Sequence, residues 1–158
     1  MSRTRTSTKR LVLAVLAVAL VSFAATACVP PPPSGEALGI IAAMNADRAA
    51  NGLAPLTYNH QLGVNGEAWA QHLAAANAGL VHQNLGTEFA DPAYAPFRTL
   101  GENLLSGPGN MSPGQMEASW MASPPHRANI LNGNYKWAGP GYATAADGSL
   151  YVTVEFGG

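Results

Sequence analysis

Two histidines, one glutamate, one serine and a single cysteine are the residues of this 158-residue chain best placed to do chemistry. His82 stands in GLVHQN and His126 in SPPHRANIL. An imidazole near neutral pH can trade a proton or ligate a metal. Neither has another histidine three or four residues away, so the His-x-x-x-His metal motif is absent. Taken alone, each is better explained as a hydrogen-bonded structural residue than as a ligand. Between them lies Gly101-Glu102-Asn103, a carboxylate after a glycine free to take unusual backbone angles, which suits a side chain aimed into a cleft. Ser123 comes three residues before His126, a separation that permits contact on a helix and so a hydroxyl nucleophile with an imidazole base. No orienting carboxylate is evident for that pair, and Ser123 before Pro124 has a sufficient role as a helix cap. Cys28 is the only thiol, which leaves no partner for an internal disulfide.

The first 27 residues read as an address. Arg3, Arg5, Lys9 and Arg10 precede an apolar stretch, 11–27, that ends in small residues. This is the layout of an export signal, at the short end for a membrane-spanning helix. Cys28 follows Ala25-Thr26-Ala27 at once and reads as the lipidated cysteine of a bacterial lipoprotein. Ala25 occupies the place where such signals usually carry a large aliphatic residue. An ordinary small-x-small cleavage site releasing a soluble protein therefore stands as the alternative. VPPPPS, 29–34, is a short polyproline spacer. The division is signal peptide 1–27, lipidated cysteine and spacer 28–35, and one globular domain 36–158.

The whole chain carries eight Lys and Arg against nine Asp and Glu, for a net charge of −1. Beyond residue 27 only four of those cations remain, against all nine acids. Four scattered cations cannot build a phosphate-neutralising surface, so nucleic-acid binding is excluded. The domain has no cysteine and must fold on packing alone.

Helices are predicted over 36–50 after Ser34, over about 60–78, from Ser112-Pro113 to about 122, and from Ser123-Pro124 to about 131. Leu38, Ile41, Met44 and Ala49 mark the stripe of the first, and Leu62, Trp69, Leu73 and Ala76 that of the second, which Gly63 and Gly66 weaken. Residues 83–100 read as a long irregular loop. The alternating, β-branched and aromatic segment 136–157 reads as a hairpin turning at Asp147-Gly148. Helices followed by antiparallel strands give an α+β domain.

Five ordered blocks, NADRAANGLAPL (45–56), the apolar helix ending in His82, GENL (101–104), W(120)MASPPHRANIL and GYATAADGSLYVTVEFG, resemble the CAP superfamily of cysteine-rich secretory, antigen 5 and pathogenesis-related proteins. The similarity is to its bacterial, SCP-like extracellular branch. The resemblance implies a three-layer α-β-α sandwich with a central antiparallel sheet. It also implies a cleft lined by two histidines and two acids, where the histidines can bind a divalent ion, commonly zinc. His82, Glu102 and His126 match three cleft members. The fourth position, a glutamate three residues after the tryptophan in the animal and plant branches, is Ser123 here. Glu117 is no simple substitute, since on a helix it points about 120° away from Ser123. Neutral imidazoles suit zinc, but two of them supply only part of a zinc shell, which implies weak, pH-dependent binding. The expected function is that of an exported, lipid-anchored extracellular module, tied to the membrane through Cys28, that binds a lipid, cell-wall or protein ligand. The alternative is a metal-dependent, peptidase-like hydrolase with the metal on His82 and His126 and Glu102 as base.

Overall fold

The computed structural model describes residues 32–77 and 79–158. The stretch 1–27 read as an export signal, Cys28 and the start of the proline spacer lie outside the described residues. In chain order the elements are α1 (Gly35–Ala50), β1 (Thr57–Tyr58), α2 (His60–Ala76), α3 (Leu85–Phe89), a 3-10 turn (Pro92–Tyr94), β2 (Leu100–Pro108), α4 (Pro113–Met121), α5 (Pro124–Ile130), β3 (Trp137–Thr144) and β4 (Ser149–Gly157). Among the described residues no helix is long and apolar enough to cross a membrane.

Caps fix the helix starts. Ser34 accepts from the Ala37 N–H and Asn59 from that of Leu62, while Ser112 and Gln115 form a reciprocal capping box ahead of Pro113. α2 stops at Ala76 because Asn77 takes a left-handed conformation, φ 44°, and closes its N–H on the Leu73 carbonyl. The buried face of α1 is Ala37, Ile40, Ile41, Met44 and Arg48; Leu38 and Ala49 of the predicted stripe face outward. The helix has apolar residues for more than one phase, and packing on α4 and β3 selects the face. Ala76 of the second stripe is likewise exposed.

The four strands run in the order β1-β3-β4-β2, with β4 antiparallel to both neighbours. The predicted hairpin is β3–β4, and Gly148 at φ 85° serves its turn. β1 and β2 were not expected, nor were α3 and the 3-10 turn, which Asn84 and Asp91 cap within the stretch 83–100 read as an irregular loop. β1 adds a short parallel ladder, Thr57↔Trp137 and Tyr58↔Ala138, to an otherwise antiparallel sheet. Strand alternation puts Pro140 on the same open side as Ala138. It has no N–H to extend that ladder.

Leu150, Val152, Val154 and Phe156 of β4 face the layer of α1, α4 and α5, where they join Ile40, Met44, Met116, Trp120 and Ile130 in the main core. The alternate residues face α2, where Tyr151 packs with Leu73, Ala74 and Leu104. These are the three layers of an α-β-α sandwich. Glycines set the spacing of α2 on the sheet. A Cβ on Gly139 would stand 2.1 Å from the Gly63 nitrogen, and one on Gly141 2.0 Å from that of Glu67. The glycines that weaken α2 locally are thus its seat.

The buried Arg48 guanidinium donates to the carbonyls of Ala54, Ile130, Asn132 and Tyr135, tying α1 to the α5–β3 connection. Asn45 exchanges two hydrogen bonds with the Leu56 backbone. Trp120 is 1% exposed and donates to the Leu104 carbonyl. Trp69 is only half-buried; its ring stacks on exposed His72 and its N–H holds the Val81 carbonyl.

Candidate functional site

The β2–β4 register sets Glu102 directly opposite Glu155, both on the face turned to α2. Segment 79–99 returns over this pair. His82 Nδ1 lies 2.5 Å from Glu102 Oε1, with the imidazole side chain 61% exposed and the carboxyl 1%. Gln83 donates its backbone N–H to the same oxygen at 3.2 Å. Its Nε2 reaches Glu102 Oε2 at 2.9 Å and Glu155 Oε1 at 2.7 Å. Asn65 of α2 donates to Glu155 Oε1 and to Gln83 Oε1, and the Tyr94 hydroxyl to Glu155 Oε2. Both buried carboxyls are therefore fully engaged, and the exposed imidazole is oriented from behind.

His126 arrives on α5, which two asparagines fasten to β2. Asn103 donates to the His126 carbonyl, and Asn129 to the Glu102 carbonyl and to Asn103 Oδ1. Burial, and then the charge of His82, hold His126 below the ordinary imidazole range. Both effects favour its neutral, ligating form.

Three carboxyls share this region. Burial, reinforced by Glu88, pushes Glu155 up to about 8, although Gln83, Tyr94 and Asn65 donate to it. Burial also raises Glu88, with Asn65 opposing and Glu102 adding to the rise. The Tyr94 hydroxyl is raised by burial and then by Glu155 and Glu88.

Of the sequence-predicted residues, His82 and Glu102 are in direct contact, and His126 is close enough for its charge to be coupled to His82. Ser123 occupies the cap position of α5 without the expected cap hydrogen bond. Pro124 and Pro125 fill the first two helical positions and offer no N–H, which removes one of the usual donors to a capping side chain. No hydrogen bond joins Ser123 to His126 among the described residues. Glu117 lies elsewhere, on α4 beside Asp47 of α1. Asn65, Gln83, Glu88, Tyr94 and Glu155 were not anticipated. Glu155 had a signal, since it interrupts the β-branched and aromatic run of the last strand with a charge. Gln83 had none beyond its place next to His82.

Among the described residues no three His, Cys, Asp or Glu side chains are gathered to hold a metal ion. The donors that fit a divalent ion are the two imidazoles. Glu102 is already committed to His82 and Gln83, so it fits the role of a partner behind a ligand rather than that of a ligand.

The chain belongs to the cysteine-rich secretory protein family, CAP, whose model matches residues 41–156. It is 31% identical over 136 residues to the uncharacterized protein YkwD of Bacillus subtilis, covering 84% of this chain and 51% of that protein. The chain thus spans about half the length of that curated relative. An outer surface protein of Borrelia burgdorferi superposes with a TM-score of 0.64 at 21% identity, over 80% of this chain and 95% of that one. An extracellular protein containing an SCP domain from Bacillus anthracis superposes with a TM-score of 0.59 at 21% identity, over 78% and 40%. At these identities the superpositions establish the fold.

Proposed function

We propose that this protein is an exported CAP module, lipid-anchored at Cys28, that binds an extracellular ligand at the His82/His126 cleft and holds a divalent ion such as zinc weakly there. The observation that carries the reading is the exposed His82 imidazole backed by a buried carboxylate whose oxygens are all engaged. Donation from Nδ1 to Glu102 leaves Nε2 as the free ring nitrogen, the arrangement that orients a ligating histidine. His126, biased by its burial toward the neutral form, is the second donor. A bound ion would supply a local positive charge for an anionic group of the ligand. Export is supported by the leader with its abrupt end at Cys28, and by relatives whose own descriptions place them outside the cell or on its outer surface. The engaged oxygens of Glu102 favour binding over the hydrolase reading, which needs that carboxylate as a base. The ligand class is a lipid, a wall component or a protein.

Titrating the purified protein with zinc at pH 7.5 is expected to raise its thermal midpoint, and His82→Ala to abolish the rise. At pH 5.5 the effect should fade, because protons compete for the imidazoles. An equal rise in the variant would overturn the metal site. Chelator-sensitive turnover of peptides or esters, lost in Glu102→Ala, would instead establish the hydrolase.

A further inference from the structure

A concavity of about 350 Å3 lies on the side of α2 away from His82. His60, Gly63, Val64 and Glu67 line it, a stripe of i, i+3, i+4 and i+7 whose centre lies roughly 170° around the helix from Asn65 and Trp69 on the cleft side. α2 is therefore a wall between two sites. The far wall is the open margin of β3 beyond Ala138, from Pro140 to Tyr142. Two tyrosines furnish it. Gly63 lets Tyr58 lie against α2, since a Cβ there would meet the Tyr58 hydroxyl at 2.3 Å. Tyr142 reaches across to the first turn of α1, donating to Glu36 at 3.3 Å. Val64 is 49% exposed in this setting, a large apolar side chain left for a partner to cover. Pro32 and Pro33 already line the same groove.

We propose that this groove is the seat of the chain's own proline tract, the run ending at Pro32-Pro33, which acts as an intramolecular polyproline ligand. Stiff polyproline loses little entropy on docking, and aromatic-lined grooves are the surfaces that take it. The seat fixes which face of the domain is turned toward Cys28. Pro32 stands four positions after Cys28, a reach of about 12 Å at polyproline rise. The His82 cleft, on the opposite side of α2, is then turned away from the attachment point. Docking needs no lipid; only the orientation of the cleft above a membrane rests on the lipid-anchor reading.

The test is disulfide trapping in the full chain carrying Cys28→Ser. The pair Pro31→Cys with Val64→Cys, on the groove, is compared with Pro31→Cys with Val81→Cys, on the cleft side. Both Val64 and Val81 are exposed, so neither change disturbs packing. The groove pair is expected to close at least about tenfold faster through its higher effective concentration, and Tyr142→Ala to slow it. Equal rates, or no closure of the groove pair, would overturn the proposal. In vesicles carrying quencher-bearing lipid and the chain with Cys28 intact, a fluorophore on Thr57→Cys should be quenched more than one on Val81→Cys. Equal quenching with successful trapping would leave docking intact and count against the anchor.

Discussion

Glu117 is buried at 3% exposure, and among the described residues neither of its oxygens has a hydrogen-bond partner. Burial, reinforced by the Asp47 carboxyl, pushes it up to about 8. At pH 7 the folded protein keeps a proton there that the unfolded chain releases. Stability should therefore fall as pH rises from about 4.5 to about 8, with no penalty below that window and the full penalty above it. Glu117→Gln is expected to gain about 1–3 kcal/mol at pH 8.5 and almost nothing at pH 4.5, read by urea denaturation. A gain independent of pH would show that the carboxyl is not neutral when folded. Legibility at this scale follows chemistry. His82, Glu102 and His126 were readable because their motifs have a recognisable family pattern. Gln83 was not, because its value is a pair of bonds from one amide to two carboxylates that meet only across the β2–β4 register. Ser123 was readable as a position but not as a bond, since the prolines after it remove a donor it would use.

The contact of α2 with β3 is made backbone to backbone, so it tolerates no side chain. Gly141→Ala is expected to cost about 3 kcal/mol or more, or to prevent folding, because the new Cβ meets the α2 backbone rather than a movable side chain. Gly114 in α4 is exposed and has nothing within 4 Å of a built Cβ, and Gly114→Ala is expected to stabilise by about 0.5–1 kcal/mol. Denaturant midpoints of the two variants in the opposite order would place α2 farther from the sheet. The four longer helices were legible because caps and prolines announce them; α3, five residues long, was not. β2 was not, because LGENLLSGP is buried on both faces through its middle and so shows no clean alternation. β1 is two residues long, too short for any pattern.

At the scale of the molecule, the strand formed last in sequence is one of the two central strands, paired along its length with β2 and β3. Its partner β2 begins about 50 residues earlier, so the sheet closes through contacts distant in the chain. A chain ended at Gly148 is expected to show no cooperative transition by calorimetry, though isolated helical signal remains. A sharp transition would mean that the helical layers pack without the sheet. The layering followed from the order of helices and strands; the strand order did not, because it depends on where β2 returns. Pro140 has a consequence beyond its own ladder. An open strand margin invites a strand from a neighbouring molecule, and each added chain offers the next margin. Pro140 withholds the donor such a newcomer would meet next to β1, and Tyr142 is drawn toward α1 instead. Copies held at high local density are thereby hindered from fusing sheet to sheet into fibres.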